Sequence, residues 1–235
     1  MSANTIQSAI QSEFDAYAQQ YEAALNQGLS VSGESSEYFA TQRIQWTAGL
    51  VGGEVDSVLD FGCGIGIAIP TLRQNFEPNL VWGFDPSSAA IERATTEHQN
   101  DSTKFSFDSG EIPENAFDLA YCNGVFHHIP PADRASALAI VYRSLKPGGW
   151  FAFWENNPWN PGTRYVMSKI PFDKDAITIS PPEARSLLRE TGFGISCSHS
   201  RFIFPRSLSF FRPLEKLVYR LPVGAQYLVL GRKPG

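Results

Sequence analysis

Three glycines at alternate positions, Gly62, Gly64 and Gly66, follow the apolar run VLDF, which carries one carboxylate, Asp60. Glycines spaced this way let a ligand come close to the backbone, and a helix that follows offers unpaired N–H groups to negative charge. Two ligand classes use such a loop. A dinucleotide fingerprint requires G-x-G-x-x-G, whereas the sequence GCGIGI brings its third glycine one residue early. A carboxylate shortly before the first glycine would repel a pyrophosphate and suits a ligand bearing positive charge, such as an amino group or a sulfonium.

Other residues with chemical potential stand at set places further along. Asp85 ends the apolar run LVWGFD, about 20 residues past the glycines, where an acidic side chain accepts hydrogen bonds from both hydroxyls of a ribose. The same Asp85 is also placed to cap a helix beginning at PSSAAIERA, and the two roles are compatible. In FSFDSGEIP, Asp108 could accept from an adenine amino group, and the backbone N–H of Ser109 could serve a ring nitrogen. The adjacent His127 and His128 are candidate general bases at neutral pH. Glu155 closes the run GWFAFWE on the same rim as Asp60 and Asn123, as a further candidate base or substrate contact.

These residues need a frame to hold them. Strand-length apolar runs SVLDF, LVWGF, KFSF, FDLAYC and GWFAFWE alternate with helical stretches near 66–76, 87–98 and 132–145, which argues a parallel sheet covered by helices on both faces. Asp60 and Asp85 then fall at the carboxyl ends of strands, where open α/β sheets place ligands. Two amphipathic helices, SEFDAYAQQYEAAL and EYFATQRIQWTAGLV, precede the sheet within residues 5–50. Segment 156–180, with its prolines, reads as too irregular for a regular element, and NNPWNP as a fixed turn hanging Asn157 and Trp159 over the site. PPEARSLLRETGF reads as a helix opened by prolines and closed by Gly192, and GISCSHSRFIF and AQYLVLGRK as two last strands.

Five segments in this order and spacing resemble the class I S-adenosylmethionine-dependent methyltransferases: VLDFGCGIG, GFDPS, FDSGEIPENAFDLAYCNGVFHHI, LKPGGWFAFWE and AQYLVLGRKP. The resemblance is strong over roughly residues 55–155 and looser toward both ends. It implies an α/β, Rossmann-like three-layer sandwich with a seven-stranded, mostly parallel sheet of order 3-2-1-4-5-7-6 whose last strand is antiparallel. It implies S-adenosyl-L-methionine as cofactor, with Asp60, Gly62, Cys63, Gly64 and Gly66 at its methionine end, Asp85 at the ribose, Asp108 and Ser109 at the adenine, and Asn123, Gly124 and Val125 on the sulfonium side. Pro86 stands where many members carry a residue that packs on adenine. Tyr21 and Arg43 match positions that cap the methionine end, Tyr17 reads as a simple helix-face residue, and His128 borders the methyl end.

The implied reaction is methyl transfer to a small-molecule acceptor, at a hydroxyl oxygen, with His127, His128 or Glu155 removing the proton and no metal ligand set. Transfer to nitrogen or carbon, and a cofactor-binding protein without turnover, are the alternatives. The chain of 235 residues is expected to be one domain, with residues 1–50 as a helical cap and 156–180 and 202–224 as substrate-side insertions. A net charge of −5 gives no global attraction to nucleic acid, which speaks against such a substrate. No apolar run reaches the roughly 18 residues that span a bilayer, and Cys63, Cys122 and Cys197 form no C-x-x-C pair. A cytoplasmic monomer or homodimer is expected. Trp154, Trp159, Tyr165, Phe202, Phe204, Phe210, Phe211 and Tyr219 gather in the insertions and last strands, which predicts a mainly apolar acceptor pocket under a mobile cap. Arg201, Arg206, Arg212, Lys216 and Arg220, against the single acid Glu215, add a basic surface there that reads as a solvated face, or as one that attracts an anionic substrate or a weak peripheral membrane contact.

Overall fold

The computed structural model describes residues 28–29, 32–174 and 176–235. Strands β1 (Ser57–Phe61), β2 (Leu80–Phe84), β3 (Thr103–Ser106), β4 (Phe117–Asn123), β5 (Leu145–Asn156), β6 (Gly194–Arg201) and β7 (Gln226–Arg232) form one sheet of order β3-β2-β1-β4-β5-β7-β6. Pairing is parallel from β3 through β5, while β7 runs antiparallel to both of its neighbours. The expected strand order and the antiparallel last strand are therefore present.

Alternation along the central strands sends side chains to two separate cores. Leu59, Ala120, Cys122, Phe151, Phe153 and Val229 face one side, packed under Leu138 and Val141 of helix α4 (Arg134–Ser144) and Leu188 of helix α6 (Pro181–Thr191). Val58, Leu119, Tyr121, Ala152, Trp154 and Leu228 face the other, under Ile44 of helix α1 (Ser36–Ala48) and Leu72 of helix α2 (Ile69–Phe76). Helix α3 (Ser88–His98) follows β2 and begins at Ser87, whose side chain accepts from the Ala90 N–H. Both faces being covered explains why β1 carries no exposed residue. Trp154 also fastens α1 to the sheet through its indole N–H, which donates to Thr47 Oγ1 at 3.0 Å.

Three expectations need correction. Segment 156–180 contains helix α5 (Pro161–Met167) and a 3-10 turn at Pro171–Asp173. Pro161 opens α5 at a position whose N–H would have no partner in the helix, and Asn160 caps it by accepting from Thr163 N–H at 3.0 Å. Asn157 does not overhang the site: it is buried and its amide donates to Pro222 O and Gly224 O, pinning this insertion to the chain entering β7. The sixth strand stops at Arg201 because Phe202 adopts φ 62, and the N–H groups of Ile203 and Phe204 turn to Glu215 Oε1 instead of a strand. A 3-10 stretch, Arg206–Leu214, and a short helix α7 (Glu215–Val218) occupy the chain beyond. The helix expected at 12–25, with Tyr17 and Tyr21, lies outside the described residues.

Phe153 is fully buried between Phe126 and Phe151 at the centre of this sheet. Phe153→Ala is expected to destabilise the fold by about 3–5 kcal/mol. Thermal unfolding followed by circular dichroism should show a midpoint lower by roughly 6–20 °C.

Candidate active site

The loop after β1 is held by the neighbouring strand. Gly62 and Cys63 donate their N–H groups to Phe84 O at 2.7 and 2.9 Å, and Gly64 N–H donates to Asp85 Oδ2 at 2.9 Å. Gly62 lies at φ 78, and a Cβ there would collide with the Val125 side chain. Gly64 lies at φ 52, yet a Cβ there would meet nothing within 4 Å, so a cradle open to a ligand lies over that residue. Gly66 and Cys63 are buried beneath it.

Asp60 projects from β1 into a dry environment, 2% exposed, and its Oδ2 has no hydrogen-bond partner among the described residues. Burial and then the nearby Asp85 carboxylate push its pKa up to about 7, against the opposing pull of Arg43. Asn123, at the end of β4, likewise has a buried Oδ1 without a partner among the described residues. Asp85 Oδ1 accepts from Ser87 N–H at 2.9 Å, so this carboxylate joins the glycine loop to the start of α3. The exposed Asp108 accepts from Gly110 N–H at 2.8 Å and opens the 3-10 turn Ser109–Glu111. Pro86 and Ser109, both half-buried, follow the carboxyl ends of β2 and β3. Arg43 is buried and donates to Tyr121 Oη and Gln226 Oε1.

A cavity of about 380 Å³ opens beside Asn123 and Gly124. Arg43, His127, His128 and Asp173 form polar parts of its wall, while Phe39, Ile170, Phe172, Phe202 and Phe204 supply apolar ones. His127 Nδ1 lies 2.6 Å from Glu155 Oε2, and Glu155 Oε1 accepts from Phe126 N–H at 2.8 Å. Glu155 thus stands behind His127, 1% exposed, and is placed to orient it rather than to touch an acceptor. His127 Nε2 and His128 Nε2 approach Asp173 Oδ1 at 3.5 and 3.4 Å.

The two histidines are driven apart electrostatically. Burial alone would lower the pKa of His127, but the charges and contacts of Glu155 and Asp173 outweigh it and raise the value to about 10. Burial and the adjacent His127 charge lower that of His128. Burial would raise Asp173, but its histidine partners hold it down at about 2. Asp173 is absent from the candidates legible in the sequence: it sits in a loop far along the chain, and only the 3-10 turn Pro171–Asp173 brings it to the pair.

Of the aromatic residues expected around an acceptor, Tyr165, Phe202 and Phe204 border the cavity. Trp154 belongs to the core, and Tyr219 packs on Trp46 and His199. Trp159, Phe210 and Phe211 face outward. Arg201 pairs with Glu215 at 3.6 Å and Arg212 with Glu34 at 2.9 Å, so neither is a free cation for an anionic ligand. His127, His128 and Asp173 also offer three donor atoms within 4.8 Å of one another, a grouping that could hold a metal ion.

Residues 59–153 match the methyltransferase domain family. The chain is 35% identical over 105 residues to sterol 24-C-methyltransferase erg6 of Aspergillus fumigatus, covering 42% of this chain and 27% of that protein. It is 30% identical over 156 residues to sterol 24-C-methyltransferase of Kluyveromyces lactis, covering 60% of this chain and 41% of that protein. It is 31% identical over 128 residues to tRNA N(3)-cytidine methyltransferase METTL2 of Mus musculus, covering 50% and 31%. The chain therefore spans between about a quarter and two fifths of these curated relatives. Among solved structures, the fold matches a chain of the complex between the Haloferax volcanii Trm112 methyltransferase activator and a methyltransferase, with TM-score 0.67, 22% identity and 96% and 98% of the two chains covered. It also matches a SAM-dependent methyltransferase from Archaeoglobus fulgidus, with TM-score 0.64, 15% identity and coverage of 85% and 95%. Residues 59–153 therefore match a methyltransferase domain, within a fold shared with solved S-adenosylmethionine-dependent methyltransferases.

The dry Asp60 has a measurable signature. A carboxyl whose folded pKa is raised from 3.8 to about 7 keeps its proton in the folded state while the unfolded chain gives it up. Its contribution to stability is present in acid and is lost as pH rises from about 4 to 7. Asp60→Asn removes that loss, so the variant should melt higher than the parent protein at pH 8 and close to it at pH 4. The difference is bounded by about 4 kcal/mol, from about 1.4 kcal/mol per pKa unit. Melting curves at the two pH values check this, and equal melting points at pH 8 would refute the raised carboxyl.

Proposed function

We propose that this protein transfers the methyl group of S-adenosylmethionine to a hydroxyl oxygen of a small molecule with an apolar or aromatic body. One observation carries the reading. The unpartnered buried oxygens of Asp60 and Asn123, with the open cradle over Gly64, stand at the carboxyl ends of β1 and β4, next to a separate cavity walled by His127 and His128. Buried polar atoms left without partners are expensive unless a ligand completes them.

In this reading Asp60 takes the cationic amino group of the methionine end, with Arg43 beside it. Backbone groups of Gly62, Cys63, Gly64 and Gly66 cradle that end, Asp85 accepts from the ribose hydroxyls, and Pro86, Asp108 and Ser109 border the adenine. Asn123, Gly124, Val125 and His128 flank the reactive centre. When bound, the cofactor supplies an electrophilic methyl group on a sulfonium that becomes neutral as it leaves. The protein's own task is to align the acceptor oxygen and exclude water, which the apolar wall of Phe39, Phe172, Phe202 and Phe204 supports.

Proton removal falls to His128, the histidine held neutral, while His127 stays charged between Glu155 and Asp173. A proton on His127 offsets one of the two carboxylate charges beside it, and the reading assigns no metal ion to the group. Tyr21 remains a candidate at the methionine end. The acidic overall charge favours a small acceptor over nucleic acid, and a monomer or homodimer in the cytoplasm fits the reaction.

Calorimetry with S-adenosylhomocysteine against NAD tests cofactor class, with binding of the first expected and preference for NAD refuting the reading. Asp85→Ala should weaken that binding at least roughly tenfold, from about 1.5–3 kcal/mol per hydrogen bond to a charged acceptor. An unchanged titration would remove Asp85 from the site. With a turned-over acceptor in hand, His128→Ala should lower kcat roughly 10²- to 10⁴-fold with cofactor affinity retained. In the parent protein kcat should fall in acid only below the ordinary histidine range, because His128 is shifted down. A neutral amine acceptor needs no base, so full activity of His128→Ala would point to nitrogen.

A further inference from the structure

Eleven large apolar residues are exposed among the described ones, and seven of them fall between 208 and 223: Leu208, Phe210, Phe211, Leu214, Leu217, Leu221 and Val223. Phe210 is 86% exposed and Leu217 79%. Apolar surface concentrated in so short a stretch marks an interaction site rather than ordinary surface scatter.

Its charge identifies the partner. Arg206, Lys216 and Arg220 are exposed in the same stretch, while its one acid, Glu215, is buried against Arg201 and the backbone of residues 203 and 204. The face is thus cationic on a protein of net charge −5. These leucines and phenylalanines lie on an irregular 3-10 segment and a short helix. They fit a fluid apolar layer, and the cations beside them fit anionic headgroups.

An apolar route also leads inward. Phe204 lines the cavity, Phe211 packs on it with ring centres 5.7 Å apart, and Phe210 follows at 5.2 Å. No helix among the described residues is long and apolar enough to cross a membrane, so the contact would lie on the surface.

We propose that segment 206–223 docks the protein on an anionic lipid surface, with Phe210 and Leu217 entering the acyl boundary. Arg206, Lys216 and Arg220 then sit at the headgroups, and an apolar acceptor passes from the bilayer along Phe210, Phe211 and Phe204 to the cavity. Docking stands on this surface alone, whereas delivery rests on the proposed methyl transfer.

Co-flotation of the full-length protein with vesicles of phosphatidylcholine, alone or mixed with phosphatidylglycerol, tests it. Binding to the mixed vesicles should be stronger by roughly a hundredfold, from about fivefold per exposed cation, and should weaken with added salt. Lys216→Gln with Arg220→Gln should erase roughly 25-fold of that preference, and Phe210→Ser with Leu217→Ser should lower binding at least roughly tenfold per side chain. These side chains are exposed and away from the proposed cofactor crevice, so unchanged S-adenosylhomocysteine affinity confirms that the variants are folded. Equal binding by variants and parent, or no preference for anionic vesicles, overturns the proposal. So does a dimer in sedimentation that Phe210→Ser and Leu217→Ser dissolve in the absence of vesicle binding, which would give the face to a second copy. A parent protein that binds vesicles but not S-adenosylhomocysteine would instead sink the methyl-transfer reading and leave docking intact.

Discussion

The contact between His127 Nδ1 and Glu155 Oε2, 2.6 Å long and almost wholly out of water, ties together the parts that shape the cavity. Glu155 belongs to β5, His127 to the loop after β4, and Asp173 to the insertion that follows β5. None of these charges would be tolerated singly at this burial, because desolvation of an isolated ion costs several kcal/mol. Held together they fix the imidazole, and through it the wall facing an acceptor. His128 is then depressed by burial and by the charge beside it, so two adjacent histidines take opposite protonation states.

The carboxylates on the other side of Asn123 obey a different logic. Asp60 has no counter-ion in contact among the described residues and is made reluctant to ionise, first by burial and then by Asp85. Such a group stores free energy that a cationic ligand releases on arrival, at the expense of stability in its absence. Asp85 is held by Gly64 and Ser87 N–H groups, which fixes it across the end of the glycine loop. Preorganised acceptors on rigid strand ends, with an apolar chamber alongside, are what an alignment-driven methyl transfer asks of a protein.

Much of this was legible in the sequence because the sheet is buried on both faces. Apolar runs such as SVLDF and FDLAYC had to be interior strands, and the glycine loop and Asp85 then fell at their carboxyl ends. The features that stayed hidden depend on contacts distant along the chain or on rare backbone states. Asp173 carries no local signal of its histidine partners. The prolines of segment 156–180 argue against a regular element, although Pro161 starts α5, since proline is disfavoured inside a helix and favoured at its first position. Phe202 at φ 62 ends β6 where the run SRFIF reads as continuous strand, because no side chain announces that conformation. The turn NNPWNP reads as hanging Asn157 over the site, and the Asn157 amide instead satisfies two backbone carbonyls of the last loop.

The split between the two histidines is the claim on which the chemistry turns. A pH titration of the imidazole nitrogens by NMR, with His127 and His128 assigned through single substitutions, reads it directly. The account predicts that His127 remains an imidazolium until pH approaches about 10, while His128 is already neutral below the ordinary histidine range. Two rings that titrate together near pH 6.5, the ordinary histidine value, would contradict it.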